Sequence, residues 1–327
     1  MSVFGLLIVD KPVGPTSHKI VSLVRRGMGI RKVGHAGTLD PRASGVLVLC
    51  LGAATRLSEY LSTSSKRYEA VVRFGSSTET YDSEGPVVRE TGKVPKRAEI
   101  EAALDDFRGE IEQVPPPFSA IKIRGKKAYE LARKGKEVDL EPRQVTIHHI
   151  DIVSYKPPDV VLDVECTAGT YIRSLANDLG EKLSCGAHLA KLQRTKAGPF
   201  TLEDAIPLPK LEVGFLTGKW EQYVRPAADA LPDVPIVNVE GEDLEKILFG
   251  HRIEAKSEAT GIARAIGPDG DLVAILEAVE DGKEWHPRKV PNVKQACSTC
   301  KTSIHSICQV VDLRSAPSMA YTSGIRR

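Results

Sequence analysis

GHAGTLDPRASG, residues 34–45, presents one carboxylate, Asp40, in a loop punctuated by glycines. The glycines permit backbone angles and close approaches that a side chain would forbid. Pro41 pushes the residue before it toward extended geometry and so stiffens the backbone at Asp40. Two interpretations are open: a tight turn in which the aspartate caps backbone groups, or a loop that presents a single acid for chemistry.

Length and composition indicate a globular protein of ordinary type. A chain of 327 residues exceeds the usual size of one hydrophobic core, so we expect two domains. The net charge of +2 does not require a nucleic-acid partner, so any RNA surface must come from local clustering. The early apolar run, residues 3–9, is too short for a membrane span. Cys50, Cys166 and Cys185 are isolated, as expected for reduced cytosolic thiols.

Apolar patterns predict interleaved strands and helices over the first 230 residues. Predicted strands cover residues 3–9, 46–49, 68–74, 145–153 and 160–165, and predicted helices cover residues 17–28, 54–61, 99–107 and 170–183. Ser17 is the expected N-cap of the first helix, and Gly109 the expected terminator of the third. Interleaving with many short turns favours a mixed sheet over a repeating parallel unit.

Residues 234–292 have the composition of a small β-rich module. A helix is predicted over residues 242–249, with Gly250 as its stop. Short strands over residues 262–266 and 272–276 flank a Gly-Pro-Asp-Gly turn, which predicts a hairpin.

The tail, residues 293–327, has no clear periodicity and is expected to be disordered. Cys297, Cys300, His305 and Cys308 have the ligand types of a zinc site. Their final spacing is shorter than in a usual zinc knuckle, and the flanking glycine and aromatic residues of such knuckles are missing. The tetrad is therefore a weak metal candidate, and the main expectation is that the chain binds no metal.

A second motif, TAGTYIR, ends in Arg173. In an extended approach to a helix, Tyr171 and Arg173 share one face and Ile172 takes the other. A guanidinium can hold a carboxylate through a bidentate fork, and it would stabilise Asp40 in its ionised form if the two meet. The alternative is an ordinary structural ion pair.

Two further features concern nucleic acid. Tyr68, at the start of a predicted strand, can stack on a base or carry a proton, or it is a half-buried strand residue. The segment IKIRGKKAYELARKGK, residues 121–136, contains seven basic residues, Arg124, Lys126 and Lys127 among them, against Glu130 alone. Such a segment suits phosphate contact and base stacking, or it is a solvated helix face.

Four stretches carry a family resemblance: GHAGTLDPRASGVL, KRYEAVVRFG, FSAIKIRGKKAYELARKG and GTYIRSLANDLG. They occur in the order found in bacterial tRNA pseudouridine-55 synthases, the TruB family, and the similarity extends from about residue 5 to residue 198. The resemblance implies an α+β fold, with a mixed, largely antiparallel central sheet flanked by helices and a PUA-like C-terminal domain. The domains implied are a catalytic domain over residues 1–230, with an RNA-gripping insertion at about 119–143, and the PUA-like domain over residues 234–292.

The resemblance also implies an activity, the isomerisation of uridine-55 in the T-loop of tRNA to pseudouridine. It implies a cytoplasmic monomer that needs no cofactor, membrane or protein partner. The implied roles are Asp40 as nucleophile on a flipped-out base, Arg173 as its partner, Tyr68 as stacking residue and proton carrier, Tyr171 and Leu192 as pocket lining, His35 as the residue inserted at the vacated position, and Arg124, Lys126 and Lys127 as RNA contacts.

Two alternatives stay open. One is an RNA-guided pseudouridine synthase of the archaeal and eukaryotic type, which shares the aspartate loop. The other is a non-catalytic RNA-binding or RNA-folding module. The basic insertion favours the stand-alone tRNA enzyme, because that feature belongs to the bacterial pattern.

Overall fold

The computed structural model describes residues 3–119, 121–123, 125–132 and 139–291, and the chain divides into two compact units, Met1–Asp233 and Val234–Arg327. Arg124, the four possible zinc ligands and the rest of the predicted tail lie outside the described residues.

The first unit combines a large sheet with helices. Its strands are β1 (Gly5–Lys11), β2 (Val33–His35), β3 (Ala43–Leu51), β4 (Lys66–Phe74), β5 (Ser76–Thr78), β6 (Val87–Glu90), β7 (Gly109–Gln113), β8 (Lys122–Ile123), β9 (Lys126–Lys127), β10 (Arg143–Lys156), β11 (Asp159–Cys166), β12 (Ala187–Ala197), β13 (Phe200–Thr201) and β14 (Ile206–Pro207). Its α-helices are α1 (Ser17–Met28), α2 (Ser58–Thr63), α3 (Arg97–Leu104), α4 (Ala128–Ala132), α5 (Ile172–Lys182) and α6 (Leu208–Thr217).

The main sheet has ten strands, in the order β14-β1-β3-β12-β4-β11-β10-β7, with β2 beside β3 and β13 beside β12. Only the β1–β14 and β12–β3 pairs are parallel among these described strands, so the predicted mixed, largely antiparallel sheet is confirmed. Helices α3 and α5 pack on β4 and β11 in one apolar core, and helices α1 and α6 pack on β1 and β3 in another.

Three local predictions differ from the structure. The first helix begins at Ser17, but its N-cap is Thr16, whose side chain accepts a hydrogen bond from the Lys19 amide at 3.1 Å. The predicted helix over residues 54–61 is a 3-10 segment, Gly52–Leu57, followed by α2. The predicted helix over residues 99–107 is α3 followed by a 3-10 turn, Asp105–Phe107, and Gly109, with a φ of +78°, lies just after its end and also opens β7.

The second unit is a curled sheet with one α-helix among its described residues. It contains β15 (Ile236–Asn238), α7 (Gly241–Leu248), β16 (Ile253–Glu254), β17 (Ile262–Ile266), β18 (Leu272–Val279) and β19 (Glu284–Lys289), and its strand order is β15-β17-β18-β19-β16. The predicted hairpin is present as β17–β18, closed by a hydrogen bond from the Gly267 amide to the Asp271 carbonyl at 3.0 Å. Ile247, Leu276 and Trp285 help to form a core of its own.

Among the described residues, three cysteines are buried with free thiols: Cys50, Cys166 and Cys185. Burial raises the pKa of the Cys50 thiol to about 12 and that of the Cys166 thiol to about 11. Both thiols are therefore protonated near neutral pH and act as small apolar core groups. None of the helices described here has the length and apolar composition that a bilayer crossing demands.

Candidate active site

Three neighbouring strands position Leu192, Tyr68 and the end of the loop that carries Asp40. Strand β12 lies between β3 and β4, and its Leu192 is paired with Ala43 on one side and Ala70 on the other. Leu192 is half-buried and packs against the apolar cores on both sides. Residues 36–42, here called the Asp40 loop, connect β2 to β3 and therefore end at this junction.

Asp40 and Arg173 meet. The Arg173 Nη2 atom lies 3.2 Å from the Asp40 Oδ2 atom, and the side chains are 10% and 49% exposed. Arg173 occupies the first turn of α5, and its neighbour Ile172 turns into the core. The pair thus joins a nearly buried cation to a carboxylate that solvent, or a substrate, can reach.

Arg173 is fastened on its other sides. Its Nη1 atom donates to the Thr80 carbonyl at 3.3 Å and lies 3.4 Å from Asp82 Oδ2, and its Nη2 atom donates to the Phe118 carbonyl at 3.1 Å. A guanidinium with these partners keeps its orientation. Arg173 therefore presents a fixed cation to Asp40.

Asp82 is a site residue that sequence reasoning missed. It lies in the loop between β5 and β6, with its side chain 13% exposed. The Thr80 hydroxyl donates to Asp82 Oδ1 at 2.6 Å, and the Glu84 amide donates to the same atom at 3.0 Å. The only sequence signal was a carboxylate in a polar turn, which is common on protein surfaces.

Lys11, the last residue of β1, binds the backbone of the Asp40 loop and of the strand that follows it. Its side chain is fully buried, and its Nζ atom donates to the carbonyls of Pro12 at 2.9 Å, Ala43 at 2.7 Å and Pro41 at 3.5 Å. Burial lowers the pKa of the Lys11 ammonium to about 8, and the nearby Asp40 charge opposes that change. Lys11 thus holds both ends of the segment that follows Asp40.

Ser17 fixes the residue before Asp40. Its buried hydroxyl donates to the Leu39 carbonyl and accepts from the Leu39 amide, both at 2.9 Å. The Gly14 amide donates to the Pro41 carbonyl at 2.8 Å. Backbone groups on both sides of Asp40 are therefore satisfied by the first helix and the turn that precedes it, a role that the predicted N-cap did not anticipate.

Tyr68 lies on β4, opposite Arg194 of β12, and is half-buried. Burial raises the pKa of its phenol, and the charge of Arg194 opposes that rise. The phenol is therefore protonated near neutral pH and can donate a hydrogen bond. Its ring also borders the apolar core beneath α5.

Tyr171 precedes α5 directly, and a side-chain amide holds its backbone. The Tyr171 amide donates to Gln113 Oε1 at 2.8 Å, and Gln113 Nε2 donates to the Tyr171 carbonyl at 3.1 Å. Burial raises the pKa of the Tyr171 phenol. Tyr171 is half-buried and lies one residue from the helix that carries Arg173.

His35 ends β2 at the entrance to the Asp40 loop. Burial lowers the pKa of its imidazole, and the charges of Arg194 and His18 lower it further. The ring is therefore neutral at neutral pH. Its Nδ1 atom is buried and has no hydrogen-bond partner within the described part of the chain.

The predicted basic segment is described in part. The backbone of Lys126 and Lys127 forms β9, which pairs with β8 in a small antiparallel ribbon that leads into α4.

Over the described ranges, no group of three or more His, Cys, Asp or Glu side chains is arranged to hold a metal ion.

Comparisons with known proteins agree with this architecture. The family model described as TruB family pseudouridylate synthase (N terminal domain) matches residues 25–172, and the model described as tRNA pseudouridylate synthase B C-terminal domain matches residues 173–231. The chain is also similar to two solved structures. For a Cbf5-Nop10-Gar1 complex the TM-score is 0.69 at 28% identity, covering 88% of this chain and 85% of that one. For an H/ACA RNP bound to a substrate RNA containing 2'-deoxyuridine the TM-score is 0.68 at 25% identity, covering 88% and 84%.

Curated relatives named tRNA pseudouridine synthase B are more similar in sequence. The relative from Symbiobacterium thermophilum is 47% identical over 250 residues, which are 75% of this chain and 82% of the relative. The relative from Dehalococcoides mccartyi is 42% identical over 291 residues, which are 88% of this chain and 96% of the relative. On this evidence, the chain belongs to the TruB family of pseudouridylate synthases.

Proposed function

We propose that this chain isomerises uridine-55 in the T-loop of tRNA to pseudouridine, with Asp40 as the nucleophile. The observation that carries the proposal is the Asp40–Arg173 pair, in which an accessible carboxylate faces a nearly buried, fixed guanidinium. An arginine keeps its charge at any working pH and stabilises the ionised acid that a nucleophile requires. Relatives named tRNA pseudouridine synthase B supply the substrate class.

The reaction rearranges one molecule. The bond between N1 of uracil and C1′ of ribose breaks, the base turns, and a bond between C5 and C1′ forms, while C5 loses a proton to solvent and N1 takes one up. Substrate and product are isomers, so the balance needs no cofactor or metal. The Asp40 carboxylate acts either by adding to C6 of the ring or by assisting departure of the base from C1′.

The surrounding residues have distinct roles in the proposal. Tyr68 stacks on the uracil and its protonated phenol carries a proton, while Tyr171 and Leu192 line the pocket. The target base lies inside a folded loop and must be flipped out, which costs roughly a few kcal/mol. The neutral His35 occupies the vacated position. Arg124, Lys126 and Lys127 bind phosphates and set the salt dependence of binding.

We further propose that the protein is a cytoplasmic monomer that needs no protein partner. The catalytic domain covers residues 1–230, and the PUA-like domain over residues 234–292 adds RNA contacts. The RNA-guided alternative is less well supported, since identity is 25–28% with the Cbf5-containing and H/ACA structures against 42–47% with the two tRNA enzymes compared above.

Release of tritium from C5 tests the proposal. An unmodified tRNA transcript labelled with tritium at uridine C5 is incubated with wild type and with Asp40→Asn, which keeps the shape of the side chain and removes its charge. Wild type should release label, whereas Asp40→Asn should release none and still bind tRNA. Binding without release by wild type would favour the RNA-binding module, and release by Asp40→Asn would exclude Asp40 as the nucleophile.

A further inference from the structure

Arg194 is a buried arginine at the centre of the site, and the proposed chemistry gives this arginine no role. It lies on β12, where it pairs with Gly45 of β3 on one side and Tyr68 of β4 on the other. Its side chain is only 1% exposed. Arg194 therefore stands between the strand that follows the Asp40 loop and the strand that carries Tyr68.

The guanidinium holds the backbone on both sides of Asp40. Its Nε atom donates to the Val46 carbonyl at 2.7 Å, Nη2 to the Gly37 carbonyl at 3.2 Å, and Nη1 to the Thr38 carbonyl at 3.4 Å. Two of these carbonyls precede Asp40 and one follows it. The guanidinium thus fixes the distance between the backbone before Asp40 and the backbone after it.

Gly45 makes this approach possible. A Cβ atom built on Gly45 would lie 2.2 Å from the Arg194 carbonyl oxygen, and Gly45 has a φ of +101°, which side chains rarely adopt. The strand after the Asp40 loop can therefore lie against β12 only with glycine at this position. The glycine of the motif and the arginine form one packing unit.

The charge of Arg194 is not matched locally. In the described ranges, Arg194 has no carboxylate within ion-pair distance, and its partners are three carbonyls and the Tyr68 phenol. A buried ion without a counter-ion carries a large desolvation cost, and an apolar residue of similar size would avoid it. The same guanidinium interacts with the Tyr68 phenol, and this contact opposes the effect of burial on that phenol.

We propose that Arg194 is a positioning residue that couples the Asp40 carboxylate to the Tyr68 phenol, so that both face the same uracil. It acts through the backbone of the Asp40 loop and through the phenol, and it does not touch the RNA. This inference rests on the proposed function, because it assigns Arg194 to the isomerisation step.

Lys66 provides the matched control. It is a buried cation on β4, 5% exposed, and it also donates to carbonyls, those of Leu61, Ser62 and Ser64. These carbonyls belong to α2 and to Ser64, the residue that follows it, and not to the Asp40 loop. The Lys66 Cε atom lies beside Gly37 of the loop, where a Cβ atom built on Gly37 would meet it at 3.8 Å, but these three hydrogen bonds do not reach the loop. Removing Lys66 therefore removes a buried charge without removing a hydrogen bond from the loop.

The experiment measures single-turnover tritium release at saturating tRNA, together with the tRNA Kd and the melting temperature. We expect Arg194→Lys to lower the rate about 10-fold and Arg194→Met about 100-fold, as displacements near 1 Å do in other active sites, with the Kd within about twofold of wild type. Lys66→Met should keep the rate within about twofold, whatever it does to the melting temperature.

Equal rates in Arg194→Lys, Lys66→Met and wild type would overturn the inference, as would a Kd that rises in parallel with the loss of rate. If Arg194→Met does not fold, Arg194→Lys in a Tyr68→Phe background decides. The loss caused by Arg194→Lys should shrink several-fold once the hydroxyl is absent, and strictly additive losses would contradict the coupling. If wild type itself releases no label, the proposed function fails, which is a different result from failure of this inference.

Discussion

At the scale of single residues, one arginine is shared by two carboxylates in different surroundings. The Asp40 side chain is 49% exposed and the Asp82 side chain is 13% exposed, and both contact Arg173. Asp82 and two backbone carbonyls hold the Arg173 guanidinium in place. The position of this guanidinium therefore determines where the Asp40 carboxylate can form the ion pair. Asp82 therefore acts on the proposed nucleophile through Arg173.

Asp82→Asn should lower the single-turnover rate roughly 10-fold to 100-fold and leave the tRNA Kd within about twofold of wild type. The amide keeps the shape of the side chain but weakens the hold on Arg173. Glu79→Gln is the matched control, since Glu79 is an exposed carboxylate in the same loop. A rate for Asp82→Asn equal to that for Glu79→Gln would remove Asp82 from the site.

The contrast between Asp40 and Asp82 shows how far sequence reasoning reaches at this scale. Asp40, Arg173 and Tyr68 each lie in a distinctive local pattern, so each could be singled out and the Asp40–Arg173 contact anticipated. Asp82 gains its position from a contact with Arg173, 91 residues away along the chain. Arg194 likewise depends on strand pairing. Local patterns contain no information on such partners.

Lys66 gives a prediction for the pH dependence of stability. Burial lowers the pKa of its ammonium from the usual 10.5 to about 8. Between these pH values the unfolded chain holds a proton that the folded protein has released, so the free energy of unfolding rises with pH. A tenfold change in proton affinity is worth about 1.4 kcal/mol, so the gain is at most about 3.5 kcal/mol.

Urea unfolding of wild type and Lys66→Met from pH 8 to pH 10.5 checks this prediction. Other groups titrate in the same window, and the buried thiols act in the opposite direction because their pKa values are raised. The difference in unfolding free energy between wild type and variant isolates Lys66. That difference should increase with pH, and a constant difference would show that Lys66 keeps its ordinary proton affinity.

At the scale of elements, the first turn of α1 both caps its own helix and holds the Asp40 loop. Thr16 does the first and Ser17 the second. Ser17→Ala would leave the buried amide and carbonyl of Leu39 without partners, which costs about 1–3 kcal/mol. Thr16→Ala removes an N-cap, which costs about 1 kcal/mol.

The two variants should therefore differ in activity more than in stability. Ser17→Ala should lower the single-turnover rate about 10-fold, because the Leu39 anchor beside Asp40 is lost. Thr16→Ala should change the rate less than about twofold, since the cap does not contact the loop. Urea unfolding and tritium release on the same preparations make the comparison, and equal rates in both variants would show that the loop does not depend on Ser17.

The positions of strands were predictable where apolar residues alternate, and their ends were not. A strand was predicted over residues 145–153, but β10 covers Arg143–Lys156. Its last residues are polar or exposed, so they give no periodic signal, yet Ser154, Tyr155 and Lys156 pair with residues 159–161 of β11. Hydrogen bonds to a neighbouring strand determine where the strand ends, and a single sequence does not reveal them.

At the scale of the whole molecule, the two compact units have separate hydrophobic cores. The buried core of the second unit is formed by residues between Val239 and Trp285, and the cores of the first unit by residues between Leu7 and Leu211. Asp40, Arg173 and the residues that hold them all lie in the first unit. The proposed chemistry and the proposed additional RNA contacts therefore belong to different units. Two truncated chains can test this division.

We expect a chain that ends at Asp233 to fold and to keep its single-turnover rate at saturating tRNA within about threefold, because every group proposed for the chemistry remains. Its tRNA Kd should rise roughly tenfold or more, since one of two linked binding modules is lost.

A chain that ends at Pro291 is the control, because it retains the described part of the second unit and so separates the effect of that unit from the effect of the tail. If the shorter chain melts cooperatively but loses rate even at saturating tRNA, the second unit contributes to chemistry and the proposed division of labour is wrong. If its Kd equals that of the chain ending at Pro291, the second unit does not bind tRNA.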